Sequence, residues 1–453
     1  MKIKFSLFFV IFFWISSAQA YPWMFFRESS SSIIQLDSHA SYFLNGKTAV
    51  FSGFQLAYHN SKIDLDLGYN YSFLEKNHYF QISELSVIFP FLFEDWKMTL
   101  GVRDVLWSEA DRYWNYGLWQ ARYLLDPLRP KQLGIPGLYF DHKTDTTSFL
   151  LALSYFYIPD VIILPELKNN EIVSKNPFFI NSFSQFHWEV EQLDLFEIDR
   201  FFKPTLAFRL EHFIENSSIN FSYAYKPVNQ LRKAVFVKGI NLSESSANSL
   251  TVTDFKYFVL SHHLMSLEAE TKLSQNVSLF VSVFYERPEQ EQHEQDWISD
   301  SFSPHLTYSV LAYFQEKWEK DKKTLFTLGW TKTVDNQSDL TANPVTSDFR
   351  ELFNRNFDWK HAIGASIEHE NKQLFQGFLF RFRTNYALDN QNYYFVLENY
   401  FYLTPHIRLY LAGDLFFRFS NTETPFNSSN INSSNSPDKG KYNRILLGGQ
   451  YVF

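Results

Sequence analysis

The chain has 453 residues, a formal charge of −8 and no cysteine, which excludes a disulfide framework and thiolate metal ligation. The acidic balance argues against nucleic acid as a partner. Aromatic residues make up 19% of the chain, 50 of them Phe, yet the mean hydropathy is only −0.25. That combination suits an apolar, aromatic-belted outer face over a polar interior better than it suits apolar helices.

Residues 1–20 have the form of a secretory signal. Lys2 and Lys4 supply the basic start, Phe5 to Ile15 the apolar core, and Ala18-Gln19-Ala20 a small-residue cleavage site. The apolar core is shorter than the roughly 20 residues of a spanning helix. Cleavage would leave a chain starting at Tyr21 with a formal charge of −10, since two lysines and no acids are lost. Residues 21–32 are then a short periplasmic segment. It is too small for the plug domain of an energised transporter.

Strand-like segments of about ten residues, the length of a tilted membrane strand, follow from about 33–44 onward. The first is closed by Asn45-Gly46, a hairpin signal. In KIDLDLGYNYSF, Ile63, Leu65, Leu67, Tyr69, Tyr71 and Phe73 share one face, opposite Asp64, Asp66, Gly68, Asn70 and Ser72. Further on, Trp96, Met98, Leu100 and Val102 alternate with Lys97, Thr99, Gly101 and Arg103. The same dyad runs through SINFSYAYK, VSLFVSVFYE, HLTYSVLAYF, FLFRFRTNY and IRLYLAGDLFFRF. Segments 78–90, 254–273 and 359–370 alternate poorly, and His262-His263 in the second of these must face opposite sides. The count is about eighteen strands, with sixteen as the alternative.

The connections sort into two kinds. Those near 59–62, 90–95, 144–146, 214–217, 274–276, 319–323, 370–373 and 404–406 are short and carry Asn, Ser, Asp, Lys or Pro. Those near 45–46, 75–78, 107–135, 159–202, 227–254, 287–303, 333–358, 387–391 and 420–440 are mostly long. Short periplasmic turns and long outer loops are the asymmetry of an outer-membrane barrel, and an even strand count puts both termini on the turn side.

The final segment, YNRILLGGQYVF, alternates and ends on an aromatic. With Gly448, Tyr451 and Phe453 it resembles the assembly signal of Gram-negative outer-membrane β-barrels, although Leu446 stands where a polar residue is usual. With the signal segment, the dyads and the one-sided loops, the mature chain resembles the porin-like outer-membrane barrels as a class. The resemblance implies an all-β, single up-and-down barrel over 33–453 in the outer membrane. It also implies lipid and lipopolysaccharide around the barrel, and insertion machinery that recognises the last strand. Monomer and oligomer stay open.

Two features bear on function. Loop 107–135, WSEADRYWNYGLWQARYLLDPLRPKQLGI, carries three Trp, three Tyr and the charges Glu109, Asp111, Arg112, Arg122, Asp126, Arg129 and Lys131. It packs either on the barrel rim as an interfacial belt or into the lumen as a constriction, as the third loop does in the general porins the chain resembles. Alternation also places Arg103, Arg209, Glu211, Glu268, Glu270, Glu286, Arg381, Arg383, Glu398, Arg408, Asp414, Arg418 and Arg444 in the lumen, because a charge facing lipid costs about 2–4 kcal/mol at midplane. They form either a self-satisfied ladder that stiffens the wall or a transverse field that orients solutes.

The acidic loop RPEQEQHEQDW has no recognised ligand spacing, so no metal or cofactor is assigned. Ser108, beside Glu109 and Asp111, has no nearby His in sequence, so no catalytic residue is assigned. The expectation is a passive channel for small hydrophilic solutes. A surface adhesin or receptor is the alternative, and an outer-membrane hydrolase a third reading.

Overall fold

The computed structural model describes residues 32–43, 48–60, 62–73, 76–90, 95–124, 129–161, 166–168, 171–173, 192–194, 202–230, 232–241, 249–289, 297–299, 304–319, 322–335, 361–372, 377–388, 392–418 and 443–452. Eighteen strands form one closed antiparallel barrel. In chain order they are β1 (Ser32–Phe43), β2 (Thr48–His59), β3 (Ile63–Ser72), β4 (Asn77–Pro90), β5 (Trp96–Arg103), β6 (Ile135–Lys143), β7 (Thr147–Ser154), β8 (Thr205–Ile214) and β9 (Ser217–Pro227). The second half comprises β10 (Ser261–Lys272), β11 (Val277–Pro288), β12 (His305–Glu319), β13 (Lys322–Asp335), β14 (His361–Asn371), β15 (Phe378–Ala387), β16 (Asn392–Tyr402), β17 (Ile407–Arg418) and β18 (Arg444–Val452). Each pairs with its sequence neighbours. Closure comes from β1 against β18, in the register Gln35↔Val452 to Phe43↔Arg444.

Alternation decides which face is which. Around the wall, large apolar side chains are exposed, among them Ile34, Phe54, Phe80, Leu100, Leu210, Leu267, Leu328, Leu409 and Leu447. Their strand neighbours Gln55, Gln81, Thr99, Ser222, Ser282, Ser309, Thr331 and Asp414 are buried. A continuous exposed apolar belt of this size is too costly to hold in water. It is the lipid face of a transmembrane barrel, with the polar residues facing the lumen. Closure leaves no strand edge unpaired, which the hydrocarbon layer demands. Among the described residues no helix is long and apolar enough to cross a membrane.

The short connections are held by their own side chains. Asn60 Oδ1 accepts from the backbone of Lys62 and Ile63, both at 2.7 Å. Thr144 and Thr404 do the same for Thr147 (3.0 Å) and Ile407 (2.9 Å). Local side-chain acceptors of this kind define tight turns.

The segment 254–273 is not a single barrel strand as its composition suggested. The wall strand begins only at Ser261, while Ser249–Phe258 pairs with Arg232–Asn241 as a hairpin outside the barrel sheet. Trp297–Ser299 adds antiparallel to that hairpin and Gln192–Asp194 adds in parallel, so three long connections share a four-stranded sheet beyond the wall. A two-residue period cannot distinguish a strand of the wall from a strand of a loop.

The last strand is in place up to Val452; Phe453 lies outside the described residues. Leu446, unusual for its position, is 1% exposed and packs inward with Leu379, Tyr400, Tyr410 and Ala412. Tyr451 faces out, opposite Leu36 and Ile407, and Gly448 lies between His39 and Tyr410 in the ladder.

Candidate functional site: a loop inside the lumen

The segment joining β5 to β6 does not rest on the rim. After Arg103 the chain turns inward and forms one short helix, α1 (Glu109–Trp114). Ser108 starts it: its Oγ accepts from the backbone N–H of Asp111 at 3.1 Å, as an N-cap does. Its hydroxyl hydrogen goes to Glu268 on β10. Asn115, in the left-handed conformation at φ 53°, ends the helix. Asp111 then folds the next turn back, its carboxylate accepting from the backbone of Leu118 (3.1 Å) and Trp119 (3.3 Å). Trp107 and Trp119 stack at 5.4 Å. All three tryptophans are 2% exposed or less, and each such ring buries on the order of 150–250 Å². The loop therefore has its own small core, joined to inward residues of β6 to β12 and β14 such as Tyr139, Leu264, Phe284 and Leu311.

Its polar attachments run around the wall. Arg209 on β8 donates to the carbonyl of Leu106. On β9, Asn220 donates to the Trp107 carbonyl at 3.3 Å and Lys226 to the Leu118 carbonyl at 3.2 Å. The Trp114 indole N–H donates to Ser309 on β12 at 2.9 Å, and the Tyr116 hydroxyl shares a hydrogen bond with Thr331 on β13. Arg383 on β15 lies over the Tyr113 ring and donates to the Tyr113 carbonyl. On the far side, Tyr123 clusters with Phe51 of β2, and Ser83 of β4 donates to the Gln132 carbonyl at 3.4 Å.

The strongest attachment is ionic. Arg129, 6% exposed, donates Nε to Glu398 at 2.5 Å and both terminal nitrogens to Asp414 at 2.6 and 2.8 Å. Arg444 adds a 2.6 Å bond to the same Asp414. Two arginines face two carboxylates here, so the charges cancel locally.

The wall makes room for the helix at two glycines. Gly329 and Gly364 stand opposite each other across β13 and β14. A Cβ on Gly329 would lie 2.8 Å from Tyr113 and 3.0 Å from Trp114; one on Gly364 would lie 3.0 Å from Trp114 and 3.1 Å from the Tyr113 hydroxyl. A glycine inside a strand is a known sign of close approach by another part of the chain, but sequence reading passed over both.

Burial shapes the loop's acids. It pushes the carboxyl pKa of Glu109 up, against the pull of Arg112. It pushes that of Asp111 up too, opposed by the N–H groups of Leu118 and Trp119.

The sequence-derived charges divide as follows. Arg103 pairs with Asp141 at 2.5 Å and Arg209 with Glu211 at 2.7 Å. Arg122 pairs with Asp160 at 3.2 Å, and its backbone N–H donates to the same carboxylate at 2.6 Å. Arg381 pairs with Glu368 at 2.6 Å. Arg408 donates to Gln450 at 3.0 Å and lies over the Tyr402 ring. Lys131 pairs in a two-residue ladder with Tyr123, beside Arg122–Gln132. Asp126 and the side chain of Arg418 lie outside the described residues, as do 290–296 of the acidic loop. His262 and His263 do face opposite ways: His262 is buried against Glu286, and His263 meets Tyr223 on the outer surface at 2.9 Å.

A closed eighteen-stranded barrel with a lipid-facing apolar belt and a polar lumen defines an outer-membrane β-barrel of porin-like architecture. No family model matches the chain, and no curated protein matches it. Among solved structures it is similar to Pseudomonas aeruginosa OccK10 (OpdN), at 10% identity over 94% of this chain and 99% of that one, TM-score 0.48. It is similar to P. aeruginosa OccD3 (OpdP), at 7% identity over 94% and 91%, TM-score 0.46. It is also similar to Escherichia coli Wzi, described as a carbohydrate-binding β-barrel involved in group 1 capsule assembly, at 10% identity over 94% and 84%, TM-score 0.45. At these levels none of them bears on what this lumen admits.

Proposed function

We propose that the chain is an outer-membrane channel for passive diffusion of small hydrophilic solutes, with loop 107–135 as its constriction. The observation that carries this reading is the loop's course: one segment bonds to inward side chains of β8, β9, β10, β12, β13, β15, β16 and β17. An eighteen-stranded lumen is otherwise wide enough to hold water. A solute must then pass beside the loop, along Arg112, Lys131 and the wall. Because Arg129, Arg381 and Arg444 are matched by Glu398, Glu368 and Asp414, the luminal charges favour a stiff, locally neutral wall over a strong transverse field. Polar, weakly charged solutes fit that lining.

The reading is non-enzymatic: Ser108, the nearest approach to a nucleophile, is engaged by Glu268 and by its own helix start. The four-stranded sheet built by the long connections favours a second reading, in which that surface acts as a receptor or adhesin. Lipopolysaccharide around the belt, and delivery through the last strand, belong to the same proposal.

Purified protein in planar bilayers provides the test. Discrete conductance steps support the channel. No steps above background in any salt would leave the surface-receptor reading in its place.

A further inference from the structure

A second cluster of side chains lies on the lumen wall, near the short turn at 60–62. His59 ends β2, Asp64 starts β3 beside it, and Glu84 reaches them from β4. His59 Nδ1 lies 3.2 Å from Asp64 Oδ1 and 3.5 Å from Glu84 Oε2, and the three ligand atoms all lie within 4.8 Å of one another. The backbone brings them together. His59 is directly opposite Asp64 in the β2–β3 ladder. Glu84 is opposite Asp66, next to a register shift between Asp66↔Glu84 and Leu67↔Ile82. The extra residue in that bulge is Ser83. It and Glu84 are consecutive, yet both serve the lumen side, Ser83 at the loop and Glu84 at His59. Without the bulge one of the two would point at lipid, since strand side chains alternate. Bulges re-aim side chains in this way next to functional sites.

We propose that His59, Asp64 and Glu84 form a binding site for a divalent first-row transition ion at the short-turn mouth of the lumen. One imidazole nitrogen and two carboxylates are the donor set for such an ion. The separations of 3.2 and 3.5 Å match neighbouring ligand atoms around an ion with bonds of about 2.0–2.2 Å. An imidazole makes Mg²⁺ and Ca²⁺ poor occupants, because both prefer oxygen. The side chains are 24%, 19% and 15% exposed, so the ion can enter from luminal water and keep water in its remaining positions. With neutral His59 the three ligands carry two negative charges, which a divalent ion neutralises. A proton on Nδ1 can be directed well at only one of the two carboxylates, whereas an ion serves both. The site does not depend on the channel reading: the barrel binds the ion whether or not it conducts.

The test uses the full mature chain, purified folded in detergent and washed with chelator, with Zn²⁺ titrated calorimetrically and Co²⁺ read by its visible absorption. The expected result is one Zn²⁺ per barrel and a Co²⁺ band with imidazole–carboxylate character. Mg²⁺ should compete weakly. His59→Ala and Glu84→Gln should each weaken Zn²⁺ binding by about tenfold or more, with the barrel's heat-modifiable gel mobility unchanged. Binding should weaken as the pH is lowered, because a protonated imidazole cannot ligate the ion. No Zn²⁺ bound by the wild type, equal binding in both variants, or loss of the ion on His293→Ala alone would overturn the assignment.

Discussion

Arg129→Ala removes the bond between the loop and the far wall and should shift the loop without unfolding the barrel. The guanidinium makes three short bonds to Glu398 and Asp414. Breaking one partner of a buried ion pair costs about 3–5 kcal/mol. The lower end applies here: Asp414 keeps Arg444 at 2.6 Å, and Glu398 keeps the Tyr410 hydroxyl at 3.2 Å. About 3 kcal/mol is roughly a hundredfold change in the ratio of seated to unseated loop. Protease added to the long-loop side of reconstituted barrels reads that ratio as the cleavage rate between Trp107 and Gln132, while heat-modifiable mobility reports the barrel. The second variant, Arg129→Ala with Glu398→Gln, should recover part of the loss because the orphaned charge is gone. Equal protease resistance in wild type and Arg129→Ala would refute the seating argument. Lost barrel mobility at the same dose would mean that the pair holds the wall rather than the loop.

Gly329→Val should displace α1, since the first added carbon already lies 2.8 Å from Tyr113; overpacking of this kind costs about 1–3 kcal/mol, and the same protease assay reads it. Trp114→Ala should cost about 3–5 kcal/mol of seating, whereas Trp114→Phe, which loses mainly the bond to Ser309, should cost about 1 kcal/mol. Glu109 carries a raised carboxyl pKa because it is buried. Its contribution to the seated loop is therefore full below the ordinary carboxylate range and is lost as the pH rises through the raised value. Glu109→Gln should flatten that part of the pH dependence of cleavage, and an unchanged profile would contradict the assignment.

Much of the barrel was legible because its physics is local. A two-residue period marks most of the wall strands, and Asn60, Thr144 and Thr404 mark the turns. The count of eighteen, the short-turn side and the inward face of Arg103, Arg209, Arg381 and Asp414 all follow from that period and from the cost of charge in lipid. The crowding of Trp and Tyr in 107–135 showed that the segment packs against something, but not where. Seating depends on partners far apart in the chain, such as Arg129 with Asp414 and Tyr116 with Thr331, and a one-dimensional pattern carries no such register. Gly329 and Gly364 did offer a signal, as isolated glycines within strands. The bulge at Ser83 left a trace too: the apolar positions switch phase from Phe80 and Ile82 to Leu85, Val87 and Phe89, which is why 78–90 alternates poorly. The hairpin 232–241/249–258 was hidden because its alternation is irregular, with register shifts around Val237, and its second strand runs on toward the wall strand that begins at Ser261.

Single-channel conductance with the loop removed bears most directly on the central reading. Replacing residues 107–132 with a short Gly-Ser linker leaves β5, β6 and their ladder to both neighbours intact. The account predicts small steps from the wild type and steps several-fold larger from the shortened chain, with Arg129→Ala between the two. Equal conductance from all three would contradict it, because the loop would then not limit passage.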